Sequence, residues 1–481
     1  MIFNSLEFIL FFPLIFIIYV LINDKYRWIL LLIASYYFYM TWNPFYSILI
    51  LISTIVSYIT GLKMGEMSEK SDRKKYLYLS LILNLGLLFI FKYYNFFSGS
   101  VDSIFSYLNF PAYLPKFDLL LPVGISFYTF QTLSYTIDVY RGVKTPEKHF
   151  GIYALYVSFF PQLVAGPIER STHLLPQFWK KFTFDYKRTV SGLRLMLWGF
   201  FLKLAIADNV APYVNTVYND VHSYMGIPLI LATLFFSYQI FCDFAGYSYI
   251  AIGAARILGF DLMDNFKSPY FSKSFSEFWN RWHISLSSWF RDYLYIPLGG
   301  NRVSKIRHLS NLFIVFLVSG LWHGANWTFV IWGMIHGIYL ILENIFNPAL
   351  NKLVKNSNFM FDFFKMAFVF SFVSFAWIFF RANTISDALY ICSNLFTNVL
   401  NINVPELIKI LFEMGLSRYS LLSIMGSIII LETVHLNQNL KFVDTLFFSK
   451  TYIRWLLYYF LIFWILFAGS FGSNEFIYFQ F

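Results

Sequence analysis

Residues 311–342 read NLFIVFLVSGLWHGANWTFVIWGMIHGIYLIL, a run that contains no Asp, Glu, Lys or Arg. A helix that crosses a membrane needs about 20 apolar residues, so this run is long enough for a broken or paired element. The run nevertheless contains His323 and His336, and polar side chains inside hydrocarbon are costly unless they serve a purpose. It therefore predicts a membrane-embedded helical protein with a polar feature in its interior.

The whole chain has the composition of a membrane protein. Of its 481 residues, 58% are hydrophobic, 22% are aromatic and 13% are charged, which lies far outside the usage of soluble globular proteins. Apolar stretches recur along the sequence, and residues 227–259 form another that is long enough for a broken or paired element. We therefore predict an all-α polytopic protein with roughly eleven transmembrane segments. The sequence shows no internal repeat or linker-like tract, so residues 1–481 are interpreted as a single integral-membrane domain.

The distribution of Lys and Arg predicts the orientation of the chain in the membrane. Residues 23–27 contain two cations and residues 62–76 contain five, whereas residues 95–116 contain one. The positive-inside rule places the first two loops in the cytoplasm and the third outside, so we expect an extracytoplasmic N-terminus. The first apolar segment lacks preceding cations and a small-residue cleavage site, which is typical of a retained span rather than a signal peptide. The formal charge of +10 is attributed to this loop bias rather than to a nucleic-acid partner.

Several enzyme classes lack their usual signatures in this sequence. It contains no HExxH metal-binding motif, no GxxxxGK phosphate-binding loop, no GxSxG nucleophile elbow and no GxGxxG dinucleotide motif. The two cysteines, Cys242 and Cys392, lie far apart in apolar surroundings and are interpreted as core residues. No metal site is predicted.

Ionisable and amide side chains are unusually dense in the apolar segments. Such groups cost roughly 2.5–3.5 kcal/mol each on insertion scales, so they are expected to line a cavity or to pair with one another. For Asp138 and Asp243 we expect pairing with an arginine that holds helices together. Arg281 and Arg291 are the candidate partners, and lining of a polar interior is the alternative. The full set comprises Asp138, Gln162, Glu169, Arg170, Gln239, Asp243, His283, His323 and His336.

The two histidines of the run 311–342 differ in their surroundings. Each lies in a frame of glycines spaced GxxxG, which lets another backbone approach closely, so a packing role is open for both. On one straight helix, positions 323 and 336 would point roughly 220° apart and could not share a metal ion. His323 is flanked by Trp322, Asn326 and Trp327, and the interpretation as a general base is also open for it. A buried neutral imidazole suits that task, because it can accept a proton near neutral pH.

Five stretches together resemble a known family. They are WNRWHISLSSWFRDYLYIPLGGNR (279–302), SGLWHGANWTFVIWGMIHG (319–337), LLPVGISFYTFQTLSYTIDVYRG (120–142), FFPQLVAGPIER (159–170) and YQIFCDFAGYSYIAIGAARILGF (238–260). In residues and in order they resemble the membrane-bound O-acyltransferases, in particular the bacterial branch that O-acetylates alginate and peptidoglycan. The resemblance covers nearly the whole chain. It implies a bundle in which shorter re-entrant or horizontal helices surround a central tunnel.

The resemblance also implies roles for single residues. His323 matches the family's catalytic histidine, and His283 matches a second histidine on the other side of a funnel through a thin part of the membrane. The family's donor is an acyl thioester made in the cytoplasm, here acetyl-CoA or another acyl thioester, and no bound cofactor is expected. Further candidates are Trp322, Asn326, Asp243 and Gln239 for the substrate tunnel or the oxyanion contact, and Arg302, Lys305 and Arg307 as a basic rim for the donor. Positive-inside bias alone is the alternative explanation of that rim.

The same resemblance implies a reaction that crosses the membrane. An acyl group, most simply acetyl, would pass from the donor to an extracytoplasmic serine-type O-acetyltransferase partner, which places it on a polysaccharide. The protein is therefore expected in the inner membrane of a bacterial cell. The alternative function is a polysaccharide or lipid transporter, or a scaffold of envelope-polymer assembly without acyltransferase chemistry. Many transporters show internal repeats, and this sequence shows none.

Overall fold

The computed structural model describes residues 1–110, 114–164, 166–353, 359–399, 404–440, 450–472 and 476–479. Every regular element within these ranges is a helix, which confirms the all-α prediction. The chain forms two compact units: unit one comprises Met1–Met196 and Ala251–Asp264, and unit two comprises Leu197–Ile250 and Asn265–Phe481. The interpretation of the chain as a single membrane domain stays a prediction.

The first part of the chain forms short and medium-length helices. They are α1 (Leu6–Leu21), α2 (Asp24–Met40), α3 (Ser47–Gly65), α4 (Lys70–Leu88), α5 (Tyr94–Tyr107), α6 (Ile125–Arg141), α7 (Phe150–Ser158), α8 (Phe160–Leu163), α9 (Ser171–Phe178) and α10 (Tyr186–Phe200). A π-helical turn at Phe89–Tyr93 joins α4 to α5. Residues 95–107, expected to belong to a loop, therefore continue a long helix.

The remaining helices belong mainly to unit two. They are α11 (Asp208–Tyr218), α12 (Ile227–Ile257), α13 (Phe275–Arg281), α14 (Ile284–Phe290), α15 (Lys305–His323), α16 (Trp327–Leu353), α17 (Phe359–Arg381), α18 (Ile385–Asn394), α19 (Val404–Glu413), α20 (Arg418–Leu440) and α21 (Thr451–Ala468). A π-helical segment, Phe201–Ala207, joins α10 to α11, and another, Arg291–Tyr295, follows α14.

The number of membrane crossings differs from the predicted eleven. Within the described residues, eight helical segments are long and apolar enough to cross a membrane. They are Pro44–Gly65, Lys70–Tyr107, Tyr186–Tyr218, Ile227–Ile257, Trp327–Phe346, Phe359–Arg381, Arg418–Gln438 and Thr451–Ala468. Leu6–Leu21 and Phe150–Leu163 are apolar but shorter. The multi-pass architecture is confirmed and the count of eleven is not.

The two unusually long apolar runs fold differently. Residues 227–257 form one continuous helix, α12, whose backbone hydrogen bonds are satisfied within the segment, as hydrocarbon requires. The run 311–342 is divided, because Gly324 is extended and ends α15 directly after His323. Asn326 then caps α16 by accepting the Thr328 N–H at 3.1 Å. The paired element is thus confirmed for the second run, whereas the first run is unbroken.

Helices α15 and α16 pack with their backbones in contact. At Gly320 an added Cβ would lie 2.3 Å from the Phe329 carbonyl oxygen and 3.0 Å from Gly333 Cα. At Gly333 an added Cβ would lie 2.3 Å from the Phe316 carbonyl oxygen. The close approach predicted from the glycine frames is confirmed at these two positions, and it fixes α15, and so His323, against α16.

We expect Gly320→Ala to push the two helices apart and to lower the free energy of unfolding by about 1–3 kcal/mol, because backbone atoms cannot yield as side chains do. Gly86→Ala in α4 is the matched control, since no heavy atom outside its own helix lies within 4 Å of the added methyl group. The midpoint of thermal unfolding of the purified protein in detergent should fall for Gly320→Ala alone. Equal midpoints for the two variants would contradict the close contact.

Glu169, one of the polar residues expected to line a cavity or to pair, is fully buried in unit one. Its carboxylate accepts the Met263 N–H at 2.6 Å and contacts His173 Nδ1 at 2.7 Å. Burial raises the pKa of Glu169, and the hydrogen bond to Glu169 raises the pKa of His173. The pair therefore holds its proton to higher pH than either group would alone, and it ties α9 to the segment after α12.

Because of the Glu169–His173 pair, we expect the stability of the protein to decrease with rising pH. The contribution of His173 is complete below its ordinary pKa of about 6.5 and is lost as the pH rises through its raised value. The raised pKa of Glu169 acts in the same direction, because the buried carboxyl group is less costly while it is protonated. Between about pH 6 and pH 8, the thermal midpoint should fall by roughly a few degrees.

His173→Gln should reduce this pH dependence, and His222→Gln, which removes a largely exposed imidazole, should leave it as in the unsubstituted protein. The nearby charges of Asp261 and Lys180 stay in place in both variants. A thermal midpoint that rises with pH in the unsubstituted protein would contradict the assignment.

Candidate active site

His323 is the last residue of α15 and is 6% exposed. Its imidazole lies against aromatic rings, with centroids 5.0 Å from Trp332, 5.4 Å from Phe380 and 5.9 Å from Tyr478. The chain turn at Gly324 brings Trp332 of α16 back over the imidazole. His323 therefore occupies an aromatic-walled position at the end of a helix.

His283 lies between α13 and α14 in the left-handed backbone region, with φ 43° and ψ 54°. Its imidazole is 2% exposed and packs edge-on against Phe244, with centroids 4.5 Å apart. Neither ring nitrogen has a hydrogen-bond partner among the described residues. A buried imidazole without a partner on a strained backbone is an arrangement found at functional sites, where the surrounding structure maintains the strain.

Asn265 holds this strained turn in place. Its carbonyl oxygen accepts the Ile284 N–H at 3.0 Å, and its side-chain oxygen accepts the Ser285 hydroxyl at 2.6 Å. The side-chain amide donates to the Ser248 hydroxyl of α12 at 3.0 Å. The turn that carries His283 is thus anchored on α12 through a fully buried asparagine.

The two histidines singled out by the sequence come together in the structure. The Tyr478 ring contacts both, with its centroid 5.9 Å from that of His323 and 6.5 Å from that of His283. It also contacts Phe244 at 4.5 Å and Phe380 at 6.4 Å. Tyr478 is a residue of the site that the sequence analysis missed.

His336 has a different environment. It is fully buried, and its ring lies 5.0 Å from Trp279 and 4.9 Å from Trp332. The same Trp332 ring contacts His323 at 5.0 Å. The two histidines lie on different helices, because the break after His323 folds α16 back along α15, so the geometry of one straight helix does not apply to them. His336 forms part of the aromatic packing behind the wall of the site.

Asp243 has a partner other than the predicted arginines. Lys203 Nζ lies 2.8 Å from Asp243 Oδ1 and 2.8 Å from Asp208 Oδ1, and all three side chains are buried. Arg281 instead pairs with Glu277 at 2.6 Å, and Arg291 pairs with its neighbour Asp292 at 2.8 Å. The expected Asp243–Arg pairing was therefore wrong, because Lys203 points into the interior from the π-helical segment 201–207. A single lysine in the apolar stretch GFFLKLAIAD was the overlooked sequence signal.

The other tunnel or oxyanion candidates are in varied environments. Gln239 lies one turn before Asp243 on α12, is nearly buried, and its side-chain oxygen has no hydrogen-bond partner among the described residues. Asn326 caps α16 and donates its amide to the Asn383 carbonyl oxygen at 3.2 Å. Trp322 is half-buried and directly precedes His323. Asp138 is buried in α6 of unit one.

The basic rim lies at the opposite end of α15 from His323. Arg302, Lys305 and Arg307 are exposed, and Lys305 is the first residue of the helix. At a rise of 1.5 Å per residue, Lys305 and His323 are about 27 Å apart along the helix axis. This separation approaches the roughly 30 Å thickness of the hydrocarbon core. A donor held at the rim would need an extended arm to reach the histidines.

Comparison with known proteins places this chain in a family. The model of MBOAT, the membrane-bound O-acyltransferase family, matches residues 148–386. A Pseudomonas aeruginosa protein named "Probable alginate O-acetylase AlgI" is 39% identical over 391 residues, which are 81% of this chain and 73% of that protein. This chain belongs to the membrane-bound O-acyltransferase family. It is therefore a membrane-bound O-acyltransferase, as the sequence motifs predicted.

Other relatives of this acyltransferase carry different names. The Helicobacter pylori peptidoglycan O-acetyltransferase is 36% identical over 385 residues, which are 75% of this chain and 72% of that protein. The Bacillus subtilis teichoic acid D-alanyltransferase is 28% identical over 265 residues, which are 53% of this chain and 67% of that protein.

The matched family region contains His283 and His323 but ends before Tyr478. The motifs that predicted the two histidines therefore gave no signal for the tyrosine. It is brought to the site by tertiary packing.

The left-handed backbone of His283 predicts an unusual order of variant stability. Most L-residues pay roughly 1–2 kcal/mol in this region, whereas glycine adopts it freely and asparagine tolerates it. We expect His283→Gly and His283→Asn to unfold at higher temperature than His283→Ala. At His336, in the interior of α16, the order should reverse, because glycine is about 1 kcal/mol less favourable than alanine within a helix. Thermal midpoints of the purified variants measure both orders, and the same order at both positions would contradict the backbone argument.

Proposed function

We propose that this acyltransferase moves an acetyl group from a cytoplasmic thioester, such as acetyl-CoA, across the inner membrane of a bacterial cell for O-acetylation of an extracytoplasmic polysaccharide. The observation that carries the proposal is the convergence of two buried imidazoles, His283 and His323, in one aromatic-walled site. The relatives named for O-acetylation of alginate and peptidoglycan support the choice of acyl group and acceptor class.

His323 acts as the general base in this proposal. Its imidazole takes the proton of the acceptor hydroxyl while the hydroxyl oxygen forms a bond to the thioester carbonyl carbon. The carbon–sulfur bond then breaks, and the proton passes from the imidazolium to the departing thiolate. Burial favours the neutral imidazole that can accept a proton, and the aromatic walls exclude water that would hydrolyse the thioester.

His283 orients the reacting groups from the other side. Its ring nitrogens lack described protein partners and are therefore available to the substrate. Gln239, Trp322 and Asn326 stay candidates for the contact with the developing oxyanion. Gln239 is the strongest of these as a polar group, because Asn326 already uses its side chain at the start of α16.

The donor enters from the cytoplasmic face. Arg302, Lys305 and Arg307 attract its phosphate groups, since exposed cations raise the local concentration of an anionic ligand. The acetyl group leaves on the other face to a serine-type O-acetyltransferase partner. The absence of a GxSxG elbow from this sequence supports a separate partner for that step.

The acyl-transfer proposal predicts a hierarchy among the three buried histidines. His323→Ala should insert at normal abundance and lower acetyl transfer by roughly a hundredfold or more, as expected for loss of a general base. His283→Ala should lower transfer by a smaller amount, because it removes orientation rather than proton transfer. His336→Ala should mainly lower yield, since it opens a gap among packed aromatic rings.

The measurement is transfer of labelled acetyl from a thioester donor in membrane vesicles, normalised to the amount of inserted protein. His222→Ala, which removes an exposed imidazole, is the control and should retain full transfer. If the protein were a transporter or a scaffold, loss of His323 would not change the acetyl transfer measured in these vesicles. Full transfer by His323→Ala would therefore exclude the general-base assignment.

The orientation can be tested by labelling single cysteines after Cys242 and Cys392 are replaced. Cysteines at Ser68 and Ser304 should be protected from an impermeant reagent in intact cells, because both positions are exposed and proposed to be cytoplasmic. A cysteine at Ser103 should react, because it is exposed on the proposed outer side, whereas nearby Ser98 is buried and unsuitable. Reaction at Ser68 or Ser304 with protection at Ser103 would reverse the proposed orientation and the side of donor entry.

A further inference from the structure

The segment Phe476–Tyr478 is docked on α12 beside the two histidines. The Ile477 N–H donates to Asp243 Oδ2 at 2.7 Å. The Phe476 ring is fully buried and lies 4.5 Å from Tyr247 and 5.8 Å from Phe244, measured between centroids. An apolar anchor and a charge-assisted hydrogen bond therefore fix the segment to one face of α12.

The next residue of α12 forms part of the wall of the site. Phe244 follows Asp243 directly, and its ring contacts both His283 and Tyr478 at 4.5 Å. The hydrogen bond at Ile477 thus acts on the residue immediately before Tyr478. A shift of this segment would move the Tyr478 ring relative to both imidazoles.

The charge balance of the cluster explains why Asp243 accepts a backbone N–H. We define the buried charge cluster as Lys203, Asp208 and Asp243. One ammonium group faces two carboxylates, so the cluster needs further donors to compensate the second negative charge away from water. Oδ1 of Asp243 faces Lys203, and Oδ2 accepts the Ile477 N–H. The docked segment therefore supplies a further donor to Asp243, whereas Asp208 Oδ2 has no hydrogen-bond partner among the described residues.

The backbone around the cluster is built for this close approach. Lys203 lies in the π-helical segment Phe201–Ala207, a feature often found at functional positions. An added Cβ at Gly246 would lie 2.8 Å from the Gly199 carbonyl oxygen and 3.1 Å from the Lys203 backbone nitrogen. The absence of a side chain at Gly246 thus lets Lys203 reach Asp243 on the neighbouring helix.

We propose that Asp243 is a positioning residue: through the buried charge cluster it holds the segment Phe476–Tyr478 so that Tyr478 forms one wall of the histidine site. This role rests on the proposed function for its effect on acetyl transfer. The docking itself does not depend on that function. Asp243 acts through the segment and does not touch the substrate.

The docking is tested first by hydrogen exchange, which does not require activity. In the full-length protein in detergent, amides in peptides that contain Tyr478 should exchange at least about tenfold faster in Asp243→Ala. Asp292→Ala, which removes a half-exposed partner of Arg291, is the matched control and should leave exchange unchanged. Unchanged exchange in folded Asp243→Ala would overturn the proposal.

Ile477→Pro tests the same hydrogen bond without altering the charges. Ile477 begins a 3₁₀ turn, where the fixed φ of proline is tolerated and its missing N–H is the relevant change. Exchange of the same peptides should increase as in Asp243→Ala, while Ile477→Val, which retains the N–H, should exchange as the unsubstituted protein does. If Asp243→Ala does not fold, the comparison of Ile477→Pro with Ile477→Val tests the docking instead. Unchanged exchange in Ile477→Pro would then overturn the proposal.

Acetyl transfer provides the functional test. Asp243→Ala and Ile477→Pro should each lower kcat by about tenfold or more with little change in the KM for the donor. The double variant should be no worse than Asp243→Ala, because that substitution already removes the hydrogen bond that Ile477→Pro removes. If the fold-decreases in kcat of the two single variants multiplied in the double variant, the result would contradict positioning through Ile477. If the variants exchanged faster but the unsubstituted protein transferred no acetyl group, the proposed function would be refuted and the docking would stand.

Discussion

The backbone contact between Gly320 and Gly333 is the constraint on which the histidine site depends. Lipid chains supply no hydrophobic force that drives helices together, so helices in a membrane gain attraction mainly through close packing at small residues. Here that packing follows a chain break directly after His323, and α16 folds back along α15. Trp332 thereby covers the His323 imidazole, and His336 packs behind the same indole. One continuous helix over residues 311–342 would have separated His323 from His336 along its axis.

Around this hairpin, unit two buries polar groups in two distinct ways. The cluster of Lys203, Asp208 and Asp243 is paired, with oppositely charged atoms 2.8 Å apart. The imidazole of His283, by contrast, is surrounded by aromatic rings, and its nitrogens have no described protein partner. The paired groups hold helices and the segment 476–478 in place. The nitrogens of His336 also have no hydrogen-bond partner among the described residues, but that ring packs behind Trp332, whereas the His283 ring lies beside Tyr478 in the site.

Sequence reasoning reached the fold class and the two central histidines because both depend on local signals. Membrane helices follow from runs of apolar residues, and His283 and His323 lie in dense, family-specific motifs. The number of membrane crossings could not be predicted from the sequence, because the length of each helix and the position of each break depend on backbone details such as the extended Gly324. The angle between His323 and His336 on one straight helix likewise does not describe them, because the chain breaks between the two residues.

The partners of the polar residues were harder to predict than their presence. Asp243 was expected to pair with Arg281 or Arg291, but its partner is Lys203, which lies forty positions earlier and reaches it through the contact of Gly199 with Gly246. Tyr478 joins the site through packing of Phe476 and a backbone hydrogen bond, neither of which leaves a pattern in the sequence. Pairings that depend on how distant helices meet require the structure.

In the proposed function, this protein delivers acetyl groups to an extracytoplasmic polymer. The most direct measurement is the amount of ester-linked acetate that mild base releases from isolated cell envelopes, compared between cells that contain the protein and cells that lack it. We expect base-released acetate to fall sharply when the protein is removed and to return when it is restored. Equal acetate in the two kinds of cell would contradict the account.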